Sequence, residues 1–286
     1  IKECKTSGGK ELLGFDPNDQ SSETETIDAT TQSSEENEKY ESNETDIDSD
    51  ITIDFPSEEM NITGIFKNIH SIHELKFISE FTQVTTVKEM FSGCINLKKV
   101  DFGKCTFEKI TDLSFLFKNC TNLTDIKFGP KISTTEVKSM SGMLSGCGVL
   151  TSVDLQAFSF EKVENMSNLF DNCTKLETIK LPKNAKIPKV QTMKSMFSGC
   201  TSLQNFDFTF TNAESLVIIE NLFFGCSKLK GVNINNLGAK NCKNIQGIFN
   251  GCTVLKEVNL TSIITEEVED LSLMFKGCTK LEKITL

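Results

Sequence analysis

Apolar residues return along this chain in one fixed order. Between Met90 and Phe102, Met90 and Phe91 precede Cys94, and Leu97, Val100 and Phe102 follow it. The order is written eight times, its cysteine coming back as Cys120, Cys147, Cys173, Cys200, Cys226, Cys252 and Cys278 at steps of 26 or 27 residues. A period that short marks stacked units, none of which can bury its own apolar face. After each cysteine the alternation puts every second residue on one side of a short strand. Ahead of each cysteine, apolar residues fall ten, seven, four and three places back, as in Val190, Met193, Met196 and Phe197 before Cys200. Those spacings fit one face of a short helical segment. Each unit is therefore expected to hold a helical turn, a tight cysteine corner and a short strand. Seven or eight buried side chains per unit, at roughly 1.5–3 kcal/mol each, give the array a continuous core.

Before the first cysteine the rhythm is looser. Ile65 to Ile69 begins a unit with Ile69 in the cysteine's place, which indicates that the position asks for a small buried apolar group before it asks for sulfur chemistry. Ile47, Ile51, Ile53 and Phe55 alternate with polar residues up to Pro56 and read as a first, irregular strand. Asp46, Asp48 and Asp50 have the opening spacing of a calcium loop, but Ile51 and Ser57 stand where such a loop needs Gly and Glu, so no metal is expected. The expected fold is an α/β solenoid over residues 47–286, with about ten short parallel strands and short helical or 3-10 segments on the convex side. Residues 16–46 read as an acidic flexible segment, and residues 1–15 are left unassigned.

The repeat Leu-x-x-Val-x-Phe matches the strand of leucine-rich repeats. With the Met-Phe-x-Gly-Cys preceding it, the pattern from Ile65 to Leu286 resembles the BspA-type family of leucine-rich repeat surface proteins. Here the cysteine comes before the strand, whereas in common leucine-rich repeats it follows, so plain leucine-rich repeat receptors are a poorer guide. The resemblance implies a protein on the surface of a cell or secreted from it, active in adhesion or partner binding through the solenoid.

Charge narrows the partner. The net charge of −10 is concentrated near the start: Asp16 to Glu59 carry 16 acidic residues against Lys39 alone, and Asn61 to Leu286 carry 26 Lys against 22 acidic residues. All 30 basic residues are Lys, and the absence of the planar Arg fork argues against nucleic acid as partner. No apolar run is long enough to span a bilayer. The start at Ile1 and the stop at Leu286, inside a repeat, are read as those of a fragment or processed form.

Strand residues between the core positions face outward. One row comprises Asp54, Lys76, Asp101, Lys127, Asp154, Lys180, Asp207, Asn233, Asn259 and Thr285; the other comprises Glu74, Lys99, Asp125, Ser152, Thr178, Asn205, Gly231, Glu257 and Lys283. The first row alternates in sign, so in-register strands about 4.8 Å apart set opposite charges side by side. The second has small neutral residues in its middle, where a ligand can approach the sheet. The candidate binding face is Lys99, Asp101, Asp125, Lys127, Ser152, Asp154, Thr178, Lys180, Asn205, Asp207, Asn233 and Glu257, for a protein or glycan ligand. Neither row holds an aromatic residue, although binding hot spots favour Tyr, Trp and Arg.

Other chemistry is sparse. His70 and His73, the two histidines, lack a companion cluster for metal, and no nucleophile motif or phosphate loop appears, so neither enzyme nor cofactor is expected. Ten of the eleven cysteines occupy core positions and are expected as buried thiols, since equivalent side chains of stacked units point the same way. Asn43, Asn61, Asn119, Asn122, Asn165, Asn172 and Asn259 head glycosylation sequons. The leading expectation is a non-catalytic binding or adhesion module at the cell surface or outside the cell. The alternative is a building block that associates with itself through the C-terminal strand edge into a filament or coat.

Overall fold

The computed structural model describes residues 4–6, 47–53, 59–77, 80–234, 236–263 and 266–285. The expected acidic flexible segment lies outside them. Thirteen strands follow in chain order: β1 (Cys4–Thr6), β2 (Ile47–Ile53), β3 (Met60–Asn61), β4 (Ile72–Phe77), β5 (Val84–Thr86), β6 (Lys99–Asp101), β7 (Asp125–Lys127), β8 (Ser152–Asp154), β9 (Thr178–Lys180), β10 (Asn205–Asp207), β11 (Gly231–Asn233), β12 (Glu257–Asn259) and β13 (Lys283–Thr285). From β6 onward each main strand has three residues, set by the Leu-x-x-Val-x-Phe run. Paired strands run parallel, Lys99 beside Asp125 and Val100 beside Ile126, a displacement of one repeat. β2 joins this face in parallel to β4, and β1 lies antiparallel against β2 at its far side. The ten strands expected on the face are therefore β2, β4 and β6 to β13.

The opposite side differs from the expectation. Among the described residues it contains no helix; successive tight turns take the place of the helical segments. In the unit of Cys94 the N–H groups of Glu89, Phe91 and Gly93 donate to Ser114, Leu116 and Lys118 of the next coil, at 2.9, 2.9 and 2.7 Å. Those of Met90, Ser92 and Cys94 turn back three residues to Val87, Glu89 and Phe91. A helix would spend every N–H inside its own segment; here every second one ties a coil to its neighbour. The backbone permits this because φ is positive five residues and one residue before each corner, as at Phe115 (58°) and Asn119 (59°) before Cys120. The residue directly before the corner is Gly or Asn in all nine units, the two types that adopt this conformation most readily.

A second line of single-residue parallel bridges runs Thr86, Asp112, Ser139, Asn165, Thr192, Ile218, Asn244 and Asp270, eight residues before each cysteine. All but Ile218 carry a side-chain oxygen that accepts the N–H two residues on. Examples are Asp112 from Ser114 at 2.7 Å and Asn165 from Ser167 at 2.9 Å. These short side chains open the turn segment.

One continuous core fills the space between the two lines. Phenylalanines three places before the corner stack coil upon coil: Phe66 on Phe91 on Phe117 at 5.5 and 5.3 Å, and Phe170 on Phe197 on Phe223 at 5.4 and 5.2 Å, nearly parallel. Leu144 separates the two stacks. Ten described cysteines are free thiols, nine of them buried and Cys278 half-buried in the last described coil. The eight corner sulfurs each donate to a backbone carbonyl of the coil before, at 2.9–3.2 Å, as Cys94 does to Phe66. The corner cysteines thus supply a donor as well as apolar bulk, while Ile69, at the equivalent corner, is half-buried and packs against the core through bulk alone.

Candidate binding face

The parallel register carries the outward strand residues onto one face. Lys76 lies beside Asp101 and Asp101 beside Lys127 in the first row; Glu74 beside Lys99 and Lys99 beside Asp125 in the second. Further along, Ser152 is beside Thr178, Asp154 beside Lys180, Asn205 beside Gly231 and Asp207 beside Asn233. Glu257 follows on β12, beside Lys283. The twelve candidate residues lie on β6 to β12, each exposed or half-buried, within the hydrogen-bonded pairs β6–β7, β8–β9 and β10–β11 and on β12; among the described residues no strand pairing joins β7 to β8, β9 to β10 or β11 to β12. The row opens differently from the expectation: Lys76 has Asp50, not Asp54, as its neighbour, at the same 26-residue offset that pairs Asp101 with Lys127. Asp54 itself lies outside the described residues.

The alternating charges do two jobs. Lys180 Nζ stands 3.3 Å from Asp154 Oδ2, and Lys99 Nζ 2.6 Å from Glu74 Oε1 in the other row. At such exposure an ion pair is worth about 0.2–1 kcal/mol. The aspartates also close the turn after the strand: Asp101 Oδ1 accepts the N–H of Gly103 at 2.8 Å and Asp154 Oδ1 that of Gln156 at 3.0 Å. Part of the pattern is therefore local backbone chemistry.

At the C-terminal part of the face the charges give way to amides. A shallow depression of about 300 Å³ is lined by Gly231, Val232, Asn233, Glu257, Val258, Asn259, Lys283 and Thr285. Sequence reasoning picked Asn233 and Glu257 from this set and passed over Gly231, Asn259, Lys283 and Thr285, although all four stood in its two rows. Asn259 Oδ1 accepts both the N–H and the hydroxyl of Thr261, at 3.0 and 2.8 Å.

Burial pushes the thiols of Cys94, Cys173, Cys226 and Cys242 up to about 12, so they stay protonated and unreactive near neutral pH. No group of three His, Cys, Asp or Glu suited to a metal ion occurs among the described residues. The described residues contain no helix long and apolar enough to cross a membrane.

The coils can now be set beside known proteins. A family model described as "Mycoplasma protein of unknown function, DUF285" matches residues 43–127, 85–209 and 191–285, overlapping spans that run through the whole stack. The chain belongs to the DUF285 family. The matched spans carry the 26- or 27-residue period of the corner cysteines. No curated protein matches the chain. Among solved structures it is similar to a leucine-rich repeat protein of T. pallidum, at 19% identity over 72% of this chain and 82% of the other, with a TM-score of 0.36. It is similar also to one from Bacteroides ovatus, at 20% identity over 83% of each chain and a TM-score of 0.32. A leucine-rich cell surface protein of Faecalibacterium prausnitzii shares 17% identity over 83% of this chain and 90% of that one, with a TM-score of 0.27. For the DUF285 chain itself the fold stands on the strand register and the hydrogen bonds between coils.

Proposed function

We propose that this chain is a non-catalytic recognition module of the cell surface or extracellular space, which takes up a protein or glycan partner on its sheet face. The observation that carries the reading is the set of polar side chains brought into register within the strand pairs β6–β7, β8–β9, β10–β11 and β12–β13, from Lys99 and Asp101 to Asn233 and Glu257. The core residues between them are held by the stack, so the face is presented on a rigid support and its ordering cost is met by folding. Mixed charge at Lys99, Asp101, Asp125, Lys127, Asp154 and Lys180 suits a partner of mixed charge and sets its register. Ser152, Thr178, Asn205 and Gly231 leave the middle of the face low and uncharged. The BspA-like pattern supports the surface setting and the adhesion role.

The test is replacement of Asp154, Asn205 and Asp207 together, followed by surface plasmon resonance against the extracellular proteins that the unaltered chain captures. Binding is expected to disappear while circular dichroism and Tm stay close to those of the parent. Undiminished binding would move the site off the sheet face.

A further inference from the structure

Gly231 is the one glycine in the two outward rows, and the fold gives no reason for it. Its backbone is outside the left-handed region, and a β-carbon there would meet only Asn205 Oδ1, at 3.5 Å, an ordinary contact. Contrast Gly103 and Gly129, where a β-carbon would run into a backbone carbonyl of the preceding coil. A strand glycine costs roughly 0.5–1 kcal/mol against a residue with a side chain. What the glycine provides is room, because the depression between β11, β12 and β13 opens at Gly231.

The lining defines what that room suits. On one wall stand the amides of Asn233 and Asn259 and the hydroxyl of Thr285; on the other, Glu257 and Lys283, whose charges cancel. Asn259 is held by Thr261 through its oxygen, so the amide N–H groups are the part of this side chain that it can offer a ligand. Val232 and Val258 direct their side chains to the core, Val258 being 4% exposed, so the depression carries no apolar or aromatic anchor of the sort that dominates protein interfaces. Amides, a carboxylate, an ammonium and a hydroxyl together match a ligand whose own groups both donate and accept, which describes the hydroxyls of a sugar. Toward β10 the second row continues through Asn205, which is paired with Gly231 and adds one further amide beside the depression.

We propose that this depression is a subsite for a neutral carbohydrate chain, held by Asn233, Asn259, Glu257 and Lys283 and admitted by the missing side chain of Gly231. The proposal rests on the reading of the sheet face as the recognition surface, and it names the ligand class for that face's C-terminal part.

The experiment titrates the 15N-labelled chain with neutral linear hexasaccharides of glucose, N-acetylglucosamine, mannose and galactose, beside a heparin hexasaccharide and a neutral Gly-Ser peptide. The expected result is a saturable shift of the Gly231, Asn233 and Asn259 signals with at least one neutral sugar, at a Kd of about 1 mM or below. Gly231→Val, which fills the depression with a residue that strands favour, is expected to weaken that binding at least tenfold with Tm unchanged or raised. No saturable shift at these residues with any neutral sugar, binding there of heparin or peptide alone, or equal affinity in Gly231→Val would overturn the proposal. If Gly231→Val also abolishes capture of a protein partner while no sugar binds, the carbohydrate assignment fails and the sheet-face reading survives.

Discussion

The thiol of Cys200 donates to the carbonyl oxygen of Phe170 at 3.1 Å, and the same carbonyl accepts the N–H of Cys173 in its own coil, also at 3.1 Å. Each corner cysteine therefore fills core volume and supplies the second hydrogen bond of a buried carbonyl in the coil before. Cys200→Ala removes both and is expected to cost about 1–3 kcal/mol. Cys200→Val returns the volume without the donor and should recover little of the loss. Urea unfolding of the three proteins decides the matter: a valine variant as stable as the parent would show that bulk alone sets the corner.

Burial of the thiols gives stability a direction with pH. An unfolded thiol has its ordinary value of 9.0, whereas Cys94, Cys173, Cys226 and Cys242 are pushed up to about 12 by desolvation. Between those values the unfolded chain has shed protons that the folded chain keeps, so stability falls as pH rises, by about 1.4 kcal/mol per pH unit for each thiol. Below pH 9 this contribution is constant. Melting curves at pH 8, 9, 10 and 11 should show Tm level over the first interval and dropping over the next two. A Tm that holds to pH 11 would contradict the burial of the thiols.

Much of this architecture is legible in the chain because one period governs it. Once Leu97, Val100 and Phe102 are recognised as a strand, a step of 26 residues sets Lys99 against Asp125 and Asp101 against Lys127, and the coordinates have that register. The turn side was misread because apolar spacings of three, three and one suit a helix and a run of tight turns equally well. The signals that separate the two are polar: Gly or Asn before every corner, and Asp, Asn, Ser or Thr eight residues ahead of it at all but Ile218. Cys4–Thr6 escaped because three residues contain no period, and its antiparallel pairing with Ile51–Ile53 is fixed by tertiary contact. The depression on the face was half legible: its rows were visible, but strand spacing alone does not reveal that Gly231 leaves a gap beside Asn259.

The residue before each corner gives the sharpest structural test. At Gly146 φ is 79°, and the side-chain oxygen of Asn119, one coil back at the equivalent place, occupies the space a β-carbon would need. Gly93 stands in the same relation to Asn68, and Gly199 to Asn172. An asparagine at this place is therefore followed by glycine in the next coil. Gly146→Ala meets both the left-handed backbone and the asparagine oxygen, and is expected to cost about 2–3 kcal/mol. Gly231→Ala, on ordinary extended backbone with room to spare, should leave stability unchanged or raise it by about 0.5 kcal/mol. Combining Gly146→Ala with Asn119→Gly removes the clash and keeps the backbone strain, so the double variant should recover part of the loss. Tm values for the four variants and the parent check this: if Asn119→Gly and Gly146→Ala are additive, the two positions do not touch and the proposed packing of coil on coil at the corner is wrong.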